Sequence, residues 1–362
     1  MFDFLPADEA EKYKPIKSTD WKWTFADYPK EKNGLKVFSC FACGGGSTMG
    51  YKLAGCEVVG CCEIDPKMNE IYIKNHNPRH NFHMDIRDFN KIPNEELPPE
   101  LFALDILDGS PPCTTFSMAG DREDSWGKKK KFREGQAEQT LDDLSFVFIE
   151  TVAKLRPRVV IMENVEGLIR GEAWSYVQRI YKQLHGIGYH VKHWLLKGQY
   201  MGIPQARHRV FFVALREDIA FDLNNLDMSF NYEPVLFKEV KEGVGGVAAC
   251  YELLCKAKPG DKSLADVLKR EEGRDSRFNE MIVWDDALAP TVHTHGFYRG
   301  NDKTKFSVED YRNCGTFPRD YDWCGQNASY IVGMSVPPVM MKRVIQRLIE
   351  SGVFSYKGVV GK

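Results

Sequence analysis

Apolar and polar positions fall into a repeating rhythm over most of this chain. "LKVFSCFACGGG" is an apolar run that breaks into glycines, and "STMGYKLAG" then has helical spacing. "CEVVGCCEID" is a second apolar run that ends in acids. Strand, glycine turn, helix and strand make one βαβ unit. The rhythm continues. "ALDILDGSPPC" reads as a strand entering a loop, and "LDDLSFVFIETVAKLRP" as an amphipathic helix stopped by Pro157. "RVVIMENVEGL" reads as a buried strand with acids at its exit, and "WSYVQRIYKQLHGIGY" as a helix closed by glycines. "HVKHWLLKG" and "HRVFFVALR" are two further strands. Such alternation predicts an α/β fold with a mostly parallel sheet and helices on both faces.

The rhythm divides the chain. Residues 1–34 are a polar N-terminal extension with Trp21, Trp23 and Phe25, either packed on the body or held as an arm. Residues 35–216 carry the alternation and form the larger domain. Residues 217–305 hold short mixed segments and the Gly-rich patch "EGVGGVAAC", which predicts a smaller domain of irregular α/β character. Residues 306–362 contain the amphipathic stretch "PPVMMKRVIQRLIESG" and are expected to return to the larger domain.

Composition narrows the class. Of 362 residues, 43% are hydrophobic and 28% charged, which is ordinary for a soluble globular protein. The longest apolar runs are far too short to span a bilayer, and the acidic start lacks a signal-peptide core. A cytoplasmic protein is expected, with its ten cysteines mostly free thiols. The net charge of −2 means that any basic binding face must be local.

Three constellations carry chemistry. Glycines after the first strand let the backbone approach a ligand and present amides at a helix N-terminus. Glu63 closes the second strand, where an acid binds ribose hydroxyls. Asp85 follows the third, where an acid accepts from an adenine amine. Together they suit a nucleoside-type cofactor. In "GSPPCTTFS", two prolines stiffen the chain before Cys113, which suits a nucleophile whose sulfur must be fixed against the atom it attacks. Glu163, in "ENV", ends another strand at the same sheet edge. A thiol and a carboxyl there suggest covalent attack on an electron-poor ring with acid assistance. In "QARHR", Gln205, Arg207 and Arg209 alternate on one face as donors for a nucleobase carbonyl or for phosphates. Two weaker signals remain. Cys40 and Cys43 have C-x-x-C spacing but no second spaced pair, so a metal site is not expected. His293 and His295, two apart, have the spacing of a metal pair, but a segment that faces DNA or an ordinary surface segment is expected instead.

Taken in order, these groups resemble the DNA (cytosine-5) methyltransferase family over residues 36 to 350. The match includes the loop from Phe41 to Gly46, Glu63, Asp85 with Ile86, and Pro112 with Cys113 followed by Phe116 and Ser117. It continues with Glu163 to Val165, Gln205 to Arg209, and Gly333 to Pro338. Cys43 stands where a loop glycine is usual, Thr114 where glutamine is common, and Met334 where asparagine is usual. Leu141 and Asp142 lie where an arginine is common.

The resemblance implies a Rossmann-like S-adenosylmethionine-dependent methyltransferase domain with a target-recognition domain at 217–305. It implies methylation of carbon 5 of a flipped-out cytosine in double-stranded DNA. Cys113, Glu163, Arg207 and Arg209 would carry the chemistry. The cofactor would rest on Phe41, Ala42, Cys43, Gly44, Gly45, Gly46, Glu63, Ile64, Asp85, Ile86, Pro112 and Leu144. Ser335 and Val336 would reach its methionine end. DNA would meet Ser117, Gln205 and Lys128, Lys129, Lys130 and Lys131, the last four in a loop expected to fold over the bound base. The enzyme would act as a monomer on the DNA of a bacterium or phage, with a restriction endonuclease as a candidate companion. Two alternatives stay open: the same chemistry on tRNA, and an inactive methyltransferase-like DNA-binding protein.

Overall fold

The computed structural model describes residues 13–112, 143–276 and 280–355. The chain forms two compact units. The larger takes Tyr28–Leu196, His208–Met228 and the residues from Met341 on. The smaller takes the residues up to Asp27, Lys197–Arg207 and Ser229–Met340.

In the larger unit the expected alternation is present. β1 (Lys36–Cys40), α1 (Gly46–Leu53), β2 (Glu57–Cys62), α2 (Pro66–His76), β3 (His80–Phe82) and α3 (Ile86–Lys91) come first. β4 (Ile106–Gly109), α4 (Leu144–Leu155), β5 (Val159–Val165), α5 (Trp174–Gly186), β6 (Tyr189–Lys197) and β7 (His208–Arg216) follow. Helix ends are written in local chemistry. Asp65 caps α2 by accepting from the amides of Lys67 and Met68, with Pro66 in the first turn. α4 ends on Arg156 at φ 52°, just before Pro157.

The seven strands are ordered β3-β2-β1-β4-β5-β7-β6. Five of them, β3 through β5 in that order, pair in parallel. β7 runs antiparallel to β5, with Val165 opposite Arg209 and Glu163 opposite Phe211. The link from β6 to β7 holds a 3-10 turn, Gly198–Tyr200, and no crossover helix, which suits a reversal. The chain builds outward from β1 to β3, then returns to β4 on the other side of β1. That reversal of order is a topological switch point, and ligands bind beside it at the carboxyl ends of the strands. The core under it includes Phe38, Leu107, Phe148, Val160 and Phe212. α4 packs so closely that a Cβ on Gly109 would sit 2.4 Å from the Phe148 ring.

The smaller unit is built from short elements: α6 (Phe237–Val240), α7 (Tyr251–Cys255), α8 (Leu264–Glu272), β8 (Met281–Val283), β9 (Phe297–Arg299), β10 (Thr304–Lys305), α9 (Val308–Cys314) and α10 (Ala328–Met334). Its three strands are ordered β10-β9-β8. A buried Arg299–Asp310 pair at 2.7 Å ties β9 to α9. Trp21 and Trp23 are buried, and the Trp23 indole donates to the Thr316 carbonyl at 2.9 Å. This part of the N-terminal extension is therefore packed. In α11 (Pro338–Glu350), residues up to Met340 group with the smaller unit and the rest with the larger. Every cysteine among the described residues is a free thiol.

Candidate active site

The loop between β1 and α1 is tightly wound. Phe41, Cys43 and Gly45 have φ of 55°, 48° and 83°, so every second residue is left-handed. Only glycine takes that conformation without steric cost. Gly45 is also required by space, because a Cβ there would lie 1.9 Å from the His76 ring. Glu63 anchors the loop from the end of β2. One carboxylate oxygen accepts from the Cys43 amide at 2.7 Å, the other from the Asp65 amide at 2.8 Å. Burial pushes the Glu63 carboxyl upward, and these amides oppose the shift.

Asp85 caps α3, accepting from the Arg87 amide at 2.8 Å, and its side chain also meets the Arg87 guanidinium at 3.3 Å. Ile86 and Leu144 are buried, whereas Phe41, Cys43 and Ile64 are half-buried. The site thus presents two carboxylates beyond adjacent strands and a glycine turn with no basic side chain. Carboxylates accept from hydroxyls and amines but repel phosphates. These acceptors fit a nucleoside with a free diol and an exocyclic amine better than a diphosphate.

At β5 and β7 the chemistry changes. Because β7 is reversed, its first residues lie at the edge where β5 ends. Glu163 and Arg209 are then diagonal neighbours on one face. The Arg209 Nε meets Glu163 at 2.9 Å, and both side chains are largely buried. Burial pushes the Arg209 guanidinium downward, and Glu163 opposes that shift. Next in sequence, Asn164 is buried and donates to the Pro111 carbonyl at 3.2 Å. That bond fixes the chain two residues before Cys113.

A family model, C-5 cytosine-specific DNA methylase, matches residues 35–350. The chain belongs to this family. It is therefore a DNA cytosine methyltransferase with the α/β methyltransferase fold. The methylase is 25% identical to the type II methyltransferase M.NgoPII of Neisseria gonorrhoeae over 348 residues, which covers 85% of this chain and 94% of that one. A 30% identity to the type II methyltransferase M.FnuDI of Fusobacterium nucleatum covers 57% of this chain and 53% of that one. In fold, the methylase resembles a crystal structure of Spodoptera frugiperda DNMT2 with a TM-score of 0.60 at 15% identity, covering 87% of this chain and 100% of that one. No helix among the described residues is long and apolar enough to cross a membrane.

The structure places the remaining site residues of the methylase as follows. Cys113, Ser117 and Lys128 to Lys131 lie outside the described residues. Gln205 and Arg207 differ from the expected row of free donors. Gln205 is buried, donates to the Cys314 carbonyl at 2.7 Å and accepts from the Val292 amide at 2.9 Å. Arg207 donates to the carbonyls of Gly333 and Ser335 at 3.0 and 2.8 Å. Both bind main chain within the smaller unit, whereas Arg209 belongs to the larger. The alternation of "QARHR" fails because the strand begins only at His208. Ser335 and Val336 are buried and follow α10.

Two buried groups of the methylase had no role assigned from the sequence: Asp108 on β4, and Asn164 inside the matched stretch Glu163 to Val165. A polar residue inside an apolar run was the available signal for Asp108.

Proposed function

We propose that this methylase transfers a methyl group from S-adenosylmethionine to carbon 5 of a flipped-out cytosine in double-stranded DNA. The observation that carries the reading is the buried Glu163–Arg209 pair beside the Asn164 bond to Pro111. Together they set an acid, a cation and the approach to a cysteine at one sheet edge.

The ring's carbon 5 is a weak nucleophile. The Cys113 thiolate adds to carbon 6, forming a carbon–sulfur bond, and Glu163 gives or shares a proton at ring nitrogen 3. Carbon 5 thereby gains enamine character. Bound S-adenosylmethionine supplies an electrophilic methyl group on a sulfonium. Once carbon 5 holds the methyl group, it loses its proton to a base. The carbon 6–sulfur bond then breaks and Cys113 leaves as thiolate. Nitrogen 3 returns its proton to Glu163. Arg209 holds the Glu163 carboxyl and the base carbonyl in place.

Glu63 would accept from the ribose hydroxyls and Asp85 from the adenine amine, with Phe41, Ile86 and Leu144 against the base. The turn from Ala42 to Gly46, with Ile64 and Pro112, would line the rest, and Ser335 and Val336 would meet the methionine end. The cytosine must leave the duplex to reach Cys113. Residues 217–305 would select the sequence, and Lys128 to Lys131 would meet phosphates. The type II names of relatives fit a restriction endonuclease as companion, and the protein would act in the cytoplasm.

Bisulfite sequencing of DNA from cells that express the protein tests this reading. Protected cytosines in one recurring sequence are expected, and none with Cys113→Ala. Unprotected DNA together with methylated tRNA from the same cells would overturn it.

A further inference from the structure

Asp108 lies on β4, five residues before Cys113, and is almost completely buried. One carboxylate oxygen accepts from Ser39 and from Ser47, each at 2.8 Å, and the other accepts from Tyr51 at 3.0 Å. Ser39 sits on β1, opposite Asp108 and two residues before Phe41. Ser47 and Tyr51 are four apart on α1, so they share one face of the helix. One carboxylate therefore joins the strand entering the cofactor loop, the helix leaving it and the strand leading to the nucleophile.

No cation answers this charge in the bonds described. Burying a charge among neutral donors is costly, and an apolar residue in a strand core would serve stability better. What the carboxylate provides is geometry, since it collects three hydroxyls from two elements onto one point.

We propose that Asp108 is a positioning residue that fixes the cofactor loop and the first turns of α1 to the strand that leads to Cys113. The proposal rests on the reading that this loop holds S-adenosylmethionine. Burial pushes the Asp108 carboxyl up to about 6, so its charge changes within a usable pH range. When protonated, one carboxyl oxygen becomes a donor, so a hydroxyl that donated to that oxygen must turn to accept or move away. Of the titratable groups around it, Tyr51 on α1, Cys40 on β1 and Tyr72 on α2 are pushed upward by burial and stay neutral. Glu163 on β5 is the acid whose charge acts on Asp108. Glu163 also serves turnover, so binding is the cleaner readout.

The test is calorimetric titration of the full chain with S-adenosylmethionine between pH 5 and 8, beside thermal melts. Wild-type affinity is expected to weaken as pH falls through about 6. Asp108→Asn should bind about tenfold more weakly at pH 8, the scale of one hydrogen bond to a charged group, and show no step near pH 6. Its melting temperature at pH 8 should not fall in proportion. Tyr51→Phe, a milder change, should cost about threefold and keep the step. Asp108→Asn binding that equals wild type, or that keeps the pH step, would overturn the proposal. If Asp108→Asn does not fold, Tyr51→Phe and Ser47→Ala decide, and wild-type affinity in both would overturn it. A wild-type chain that binds no S-adenosylmethionine would instead overturn the cofactor reading beneath it.

Discussion

Two parts of one sheet edge answer buried carboxylates in different ways. Around β1, β2 and β4, neutral groups do so: Glu63 takes two backbone amides, and Asp108 takes three hydroxyls. Between β5 and β7 a guanidinium does so, from Arg209 to Glu163. Amides and hydroxyls hold an acid in position and offset its lost hydration only in part, so burial raises Glu63 and Asp108. A cation supplies compensation, and the Glu163 charge is already answered when a base arrives. The first arrangement suits a fixture that shapes a loop. The second suits a carboxylate that must be aimed at a substrate.

The largest effect should come from breaking the charged pair. Arg209→Leu leaves Glu163 in a largely buried place without its cation, and loss of about 3 kcal/mol of stability is expected by denaturant titration. Adding Glu163→Leu should restore most of that stability and none of the turnover. A double variant no more stable than Arg209→Leu would mean that the pair does not behave as a buried ion pair.

On the neutral side the expected losses are smaller. Glu63→Gln turns one acceptor into a donor facing a backbone amide, at a cost of about 1–3 kcal/mol. Thermal melts check the stability, and calorimetry should show weaker S-adenosylmethionine binding. Unchanged binding would remove Glu63 from the cofactor loop.

Acid should also strain this side. His76, packed under Gly45, is buried, and its imidazole is pushed down to about 3. The unfolded chain takes up this proton near pH 6.5 and the folded chain does not, so stability falls as pH drops between these values. The slope for one proton is about 1.4 kcal/mol per pH unit. Asp108, raised in the fold, works in the opposite sense between about pH 3.9 and its folded value near 6, where acid favours the folded state. Comparing wild type with His76→Gln isolates the His76 share, and parallel pH profiles for the two would contradict it.

The smallest effect is a gain. Cys43 takes φ 48° with a side chain, so Cys43→Gly should relieve up to about 1 kcal/mol, offset in part by the greater freedom of glycine when unfolded. A lower melting temperature would show that the Cys43 contact with Met68 outweighs the strain.

These contrasts explain what the sequence made legible. The β1–α1 loop was visible because its glycines mark themselves, although only Gly45 among them takes a positive φ, and Phe41 and Cys43 take it with side chains. Glu63 and Asp85 were visible because acids stand out at the ends of apolar runs. Asp108 stands inside such a run, and its donors are 57 to 69 residues away in sequence. Only the β1–β4 pairing and the seating of α1 bring them together. Arg209 reaches Glu163 only because β7 is reversed, which a strand pattern does not encode. The same pattern overreached at Gln205 and Arg207, where a backbone turn took the place of the expected strand.

The central claim is that Cys113 adds covalently to the target cytosine with help from Glu163. A DNA duplex carrying 5-fluorocytosine at the methylated position tests it most directly, because fluorine does not leave carbon 5 as a proton does. With S-adenosylmethionine present, denaturing gels should show a stable protein–DNA adduct for the wild type and none for Cys113→Ala. Glu163→Gln should form it roughly a hundredfold more slowly, the scale of a lost general acid. An adduct of undiminished yield from Cys113→Ala would contradict the claim.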